Sequence, residues 1–205
     1  MKRKYVLAVA SAAVVVGCAT YTAPTREETM QVVKSSFRDR GIAKLDRLDQ
    51  SDMQIACSEA ALTGKELPKD VRMRFERQAL ATVKYPADGV YLGDFKQGER
   101  IAQIGRGLQW NDTEKTVAGG NCYACHELAS QELAFGNIGP SLKGYGKLRG
   151  NSKEVMTSTW GKLWNSHATN ACSQMPRYGD ANILTTAQLK DVMALLLDPN
   201  SPVNK

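Results

Sequence analysis

The chain has 205 residues, 42% of them hydrophobic, and a formal net charge of +6. That length gives room for one ordinary globular domain plus an extension, and the apolar content is enough for a core, which excludes a disordered chain. Three of the positive charges, Lys2, Arg3 and Lys4, fall in a segment expected to be removed, so the remainder is only mildly basic and nucleic acid is excluded as a partner.

Residues 1–17 read as a short basic region followed by YVLAVASAAVVVG, an apolar stretch too short to span a bilayer comfortably. This is the pattern of an export signal, and it places the rest of the chain in the periplasm. Val15-Val16-Gly17-Cys18-Ala19 also fits a lipobox, which makes Cys18 the lipidation candidate and membrane anchoring through it the corollary. The alternative is ordinary cleavage nearby, after Ala19.

Thr25-Arg26-Glu27-Glu28 has capping-box spacing, and Met30, Val33 and Phe37 follow at helical spacing, with Gly41 as the expected stop. Leu48, Met53, Ile55, Ala56, Ala60 and Ala61 predict a second helix ending near Gly64. A third is expected from Pro68, with Val71, Phe75, Ala79 and Thr82 on one face. Tyr85-Pro86-Ala87-Asp88-Gly89 is a dense turn signal, read as the junction between a helical N-terminal extension, residues 18–89, and a second domain, residues 90–205.

A further helix is predicted from Gly98 through Ile104. A loop containing Trp110, Asn111, Asp112, Gly119 and Gly120 then leads to Cys122. At the other end, Thr185-Thr186-Ala187-Gln188 forms another capping box. Leu189, Val192, Met193, Leu196 and Leu197 give the apolar stripe of a helix stopped by Asp198-Pro199. No strand pattern is evident. Between residues 140 and 180, Lys143, Lys147, Arg149, Lys153, Lys162 and Arg177 outnumber Glu154 and Asp180. That is either a solvated face or one that steers an acidic partner.

Cys122-Tyr123-Ala124-Cys125-His126 is the C-x-x-C-H signature of covalent haem attachment. Two thiols add across the porphyrin vinyl groups, and the adjacent histidine ligates the iron, so one haem c is expected. A thioredoxin-like redox pair would want alternating strands and helices, and a zinc site would want a second pair of cysteines or histidines; neither is present. Of the later methionines, Met193 lies on an apolar helix face and reads as core. Met175, followed by Pro176 in a stiffened loop between Cys172 and Gly179, is the first choice for the second axial ligand, with His167 as competitor. A methionine opposite histidine closes the iron to substrates and suits electron transfer.

Five cysteines are an odd number for an exported protein. Haem takes two and the lipobox takes Cys18. Cys57 and Cys172 remain, as a disulfide, as free thiols or as links to a partner chain.

The stretches YPADGVYLGDFKQGERIAQIGRG, GGNCYACHELASQELAFGNIGPSLKGYGKLRG, TWGKLWNSHATNACSQMPRYG and LTTAQLKDVMALLLDPNSPVNK resemble the SoxX family, the monohaem cytochrome c subunit of the SoxAX complex of bacterial sulfur oxidation. The resemblance implies an all-α, class I cytochrome c fold in which the helix near 99–106 crosses the terminal helix near 187–197, with Met175 as distal ligand. It also implies a SoxA-like haem subunit as partner, in a heterodimer or larger complex. That complex would be an L-cysteine S-thiosulfotransferase, coupling thiosulfate oxidatively to a cysteine of a sulfur-carrier protein. The present chain would pass the electrons to an acceptor cytochrome c. No residue here reads as a nucleophile or general base, so the catalytic site is expected on the SoxA-like subunit. Two competing readings are a stand-alone periplasmic monohaem electron shuttle and a haem enzyme or gas sensor with an open iron.

Overall fold

In the computed structural model, residues 24–205 are described; the predicted export signal over residues 1–17 and the lipidation candidate Cys18 lie outside the described residues. Among the described residues the fold is all-α. The one extended pairing is an isolated antiparallel bridge between Arg40 and Ala43. The chain divides into compact units after Arg38.

The first unit contains helix α1, Arg26–Ser36. Its capping box is made as the spacing predicts. The Thr25 side chain accepts from the Glu28 N–H, and the Thr25 N–H donates to the Glu28 carboxylate at 2.7 Å. The helix stops at Ser36 rather than at Gly41, because Phe37 turns extended. Gly41 instead takes the left-handed conformation (φ +54°) in the turn closed by the Arg40–Ala43 bridge.

The second unit begins with α2, Asp52–Thr63, and α3, Lys69–Ala81. Ser51 and Gln54 make a capping box that starts α2, and Gly64 ends it in the left-handed conformation, yet α2 has no buried residue. Pro68 stands just ahead of α3, and Phe75 and Ala79 are the side chains that α3 buries. Helix α4, Phe95–Gln103, starts three residues before the expected Gly98, because Asp94 caps it through the Lys96 N–H. After the long loop come α5, Tyr145–Arg149; α6, Lys153–Trp164; and α7, Thr186–Leu197.

The core forms where α4 crosses α7 and α6 packs beside them. Leu189, Val192, Met193 and Leu195 of α7 are fully buried, as is Trp160 of α6. The crossing is close because Gly98 has no side chain. A Cβ there would lie 2.7 Å from the Asp191 carbonyl carbon and 2.9 Å from Leu195 Cβ. The chain entering α4 is fixed to α7 as well: the Gly93 N–H donates to the Lys190 carbonyl at 2.9 Å and the Asp94 N–H to Asp191 Oδ1 at 2.8 Å.

Residues 39–89, expected as an extension, belong to the same compact unit as residues 90–205. The buried Trp160 indole N–H donates to the Lys84 carbonyl at 2.9 Å, and the Asn165 amide donates to the Thr82 hydroxyl at 3.0 Å. Those bonds satisfy polar groups that would otherwise be stranded under α6. At the other end, Asn204 is buried between α5 and α7. Its amide N–H groups donate to the Leu196 and Asp198 carbonyls, and its oxygen accepts from the Gly146 N–H at 2.8 Å.

Candidate functional site

The C-x-x-C-H segment is wound into a single turn. Cys122–Ala124 is a short 3-10 helix, the His126 N–H donates to the Cys122 carbonyl at 2.9 Å, and the Cys125 N–H donates to the same oxygen at 3.1 Å. Both thiols are unbonded and half-buried. Burial pushes the Cys122 thiol up to about 12. At neutral pH it is therefore a thiol and a poor nucleophile, unlike the activated thiolates of dithiol oxidoreductases. No group of three or more histidine, cysteine or acidic side chains that could hold a metal ion comes together among the described residues.

His126 is held by the loop that follows it. Its Nδ1 lies 2.7 Å from the Pro140 carbonyl oxygen. A carbonyl can only accept, so Nδ1 carries the proton and the Nε2 lone pair is left free. The loop approaches closely because residue 139 is glycine: a Cβ there would strike the imidazole ring, 2.7 Å from Nε2. Three backbone bonds lace this loop to the turn, from the Gly136, Gly139 and Leu142 N–H groups to the Tyr123, Cys125 and Glu127 carbonyls, each at 2.8 Å. Two free thiols three residues apart, and an imidazole fixed in the tautomer that exposes Nε2, are the donor set a covalent haem requires. These residues fit the group.

Met175 sits in a second loop that reaches the same turn. The Tyr178 hydroxyl, buried, donates to the Gly120 carbonyl at 2.6 Å, two residues before Cys122. Met175 itself is half-buried and packs against the core. Its carbonyl accepts from the Ser166 hydroxyl at 2.6 Å and its N–H donates to the Ser173 hydroxyl at 3.2 Å. The competing His167 is buried in the scaffold of this loop, with Nε2 3.2 Å from the Ser173 carbonyl. Nε2 therefore holds the proton, and burial keeps this imidazole below its usual pKa. Upstream, Cys172 is joined to Cys57 of α2 in a disulfide, the first of the three pairings considered for them.

Beside the haem-motif turn, an open depression of about 670 Å³ is lined by Gln103, Asn121, Tyr123, Glu132 and Phe135, among others. At its edge the Tyr123 hydroxyl donates to Glu99 Oε1 at 2.9 Å, and burial raises the Glu99 carboxyl above its ordinary value. Neither His126 nor Met175 lines this depression.

No protein-family model matches the chain. It is 32% identical over 212 aligned residues to a protein of Aquifex aeolicus (strain VF5) described as an uncharacterized lipoprotein, and the match spans the whole of both chains. The chain belongs to the family of that lipoprotein.

In this member of the family, Gly139, Pro140, Ser166 and Tyr178 complete the site, and spacing alone does not point to them. The Gly139-Pro140 pair is the one sequence signal available: a glycine that permits close approach, followed by a residue whose own nitrogen has no proton to give. Ser166 and Tyr178 act through single hydrogen bonds to the Met175 and Gly120 carbonyls, groups that any residue could supply.

Proposed function

We propose that this chain is an exported monohaem cytochrome c that serves as an electron-transfer subunit, with Cys122 and Cys125 holding the haem covalently and His126 and Met175 ligating its iron. The observation that carries the reading is the His126 Nδ1 to Pro140 carbonyl bond at 2.7 Å, which frees Nε2 of the histidine that follows two unbonded cysteines in the same turn. Haem held in this way supplies one-electron chemistry; the chain's own residues bind, orient and enclose it. Ser166 and Ser173 position the Met175 backbone, and the Tyr178 bond to Gly120 keeps that loop against the haem-motif turn.

The crossing of α4 and α7 through Gly98 supports assignment to the class I cytochrome c fold. The resemblance to SoxX supports a place in a SoxAX-type L-cysteine S-thiosulfotransferase. There the SoxA-like subunit carries the catalysis, a sulfur-carrier cysteine takes up thiosulfate, and an acceptor cytochrome c receives the electrons. The description of the Aquifex relative as a lipoprotein supports a secreted or membrane-anchored chain, with Cys18 as the acylated residue. No helix among the described residues is long and apolar enough to cross a membrane.

The test is expression in a periplasm with haem-attachment machinery. The expected product has one haem covalently linked to the 122–126 peptide and a methionine-to-ferric-iron charge-transfer band that disappears in Met175→Ala. Persistence of that band in Met175→Ala would remove methionine ligation by this residue. Co-purification with a SoxA-like subunit, and haem reduction on adding thiosulfate and the carrier, separate the sulfur pathway from a stand-alone shuttle.

A further inference from the structure

The Cys57–Cys172 bridge joins two parts of the chain that have little else to hold them together. On one side is α2, which has no buried residue. On the other is the loop that begins at Cys172 and carries Met175 three residues later. Cys172 is an exposed residue and Cys57 a half-buried one, so the bridge lies nearer to solvent on the Cys172 side.

Besides the bridge, the segment from Cys172 to Met175 is held by the packing of Met175 against the core and by five hydrogen bonds: the Cys172 N–H to Asn170 Oδ1 at 3.1 Å, the Ser173 N–H to the Asn170 carbonyl at 3.0 Å, the His167 ring to the Ser173 carbonyl at 3.2 Å, the Met175 N–H to the Ser173 hydroxyl at 3.2 Å, and the Ser166 hydroxyl to the Met175 carbonyl at 2.6 Å. The Ala171 N–H adds a long bond to Glu76 of α3 at 3.4 Å. The buried residues of α4, α6 and α7 lie outside the two segments the bridge joins. Opening it would loosen α2 and this loop while leaving the rest folded, as local opening in proteins commonly does.

We propose that the Cys57–Cys172 disulfide is a redox-active site that takes a protein dithiol as its reductant, and that its state controls whether Met175 occupies the sixth position of the haem iron. This rests on the haem reading given above. A thiolate of the reductant attacks the Cys172 sulfur, the S–S bond breaks, and Cys57 leaves as a thiolate and takes up a proton. The second thiol of the reductant then displaces Cys172. The bridge gains two electrons and two protons as two thiols, and the reductant becomes a disulfide. With the bridge intact the protein is a closed electron carrier. With it reduced, the Met175 loop is released and the iron can accept an outside ligand.

The test uses the full-length holoprotein. The disulfide is reduced under native conditions with thioredoxin-type dithiol protein, Cys57 and Cys172 are alkylated and located by peptide mapping, and the haem is reoxidised with ferricyanide. The expected result is loss of the methionine charge-transfer band and binding of imidazole to the ferric iron roughly tenfold faster or more, in line with removal of a long-loop crosslink. Cys57→Ser/Cys172→Ser should show the same spectrum without any reductant, and the wild-type measurement stands alone if that variant fails to fold. An unchanged band and unchanged imidazole rate with both thiols alkylated would overturn the proposal while leaving the haem assignment intact, and so would a bridge that resists the dithiol in the native protein. A chain that carries no covalent haem overturns the haem reading itself, and this inference with it.

Discussion

Asp112 shows how a single side chain can organise a loop with no secondary structure of its own. Buried to 6% exposure, it accepts the Gly107 N–H at 2.8 Å and the Gln109 N–H at 2.9 Å. The Gln109 bond first, then the Gly107 bond, hold its carboxyl below the ordinary value, with Arg106 assisting. A carboxylate depressed in the folded state contributes stability that is complete above its unfolded value near 3.8 and is lost as pH falls through the folded one. Asp112→Asn should therefore destabilise the protein most at neutral pH. The gap from wild type should close as pH drops below about 3.8, read as urea midpoints across a pH series. At this scale the C-x-x-C-H motif was legible, because residue type and spacing alone define Cys122, Cys125 and His126 as a set. The tautomer of His126 was not: it is set by a backbone carbonyl, an atom that every residue has.

Among the helices, the ends marked by capping boxes could be read, whereas the end of α1 and the start of α4 were misplaced. The capping boxes at Thr25 and Thr185 are both made, and Gly64 terminates α2 in the left-handed conformation, as its place after an apolar set suggests. Helix α6 was not anticipated, although Met156, Trp160, Leu163 and Trp164 recur at the i, i+4, i+7, i+8 spacing of a helix face and Ser152 caps its start by accepting the Val155 N–H. Two of the helical glycines, Gly98 and Gly161, contrast in what surrounds them. Gly98→Val should cost about 3 kcal/mol or more, because the added carbons meet the α7 backbone. Gly161→Ala should instead gain about 0.5–1 kcal/mol, since a Cβ there meets nothing closer than the Tyr85 hydroxyl at 3.9 Å and helix propensity favours alanine. Chemical denaturation of the two variants tests the contrast.

For the molecule as a whole, the division of labour differs from the one the turn at Tyr85–Gly89 suggests. That turn is real, with Gly89 in the left-handed conformation, but it falls within a compact unit. The bonds that bind its two sides span 76 and 83 residues, a separation at which local pattern carries no information. Deleting residues 39–89 should strip the Lys84 carbonyl from Trp160 and the Thr82 hydroxyl from Asn165. The remainder is expected to show red-shifted tryptophan emission and a lowered, broadened thermal transition, whereas an unchanged transition would mean the segment is dispensable. The Asp94 N–H to Asp191 contact, between residues 97 positions apart, has a bearing on the order of events during biosynthesis. The opening helix of the core finds its partner only after nearly all of the chain has been delivered, so closure is a late step. Until then the thiols of Cys122 and Cys125, which the finished fold half buries, stay open to solvent.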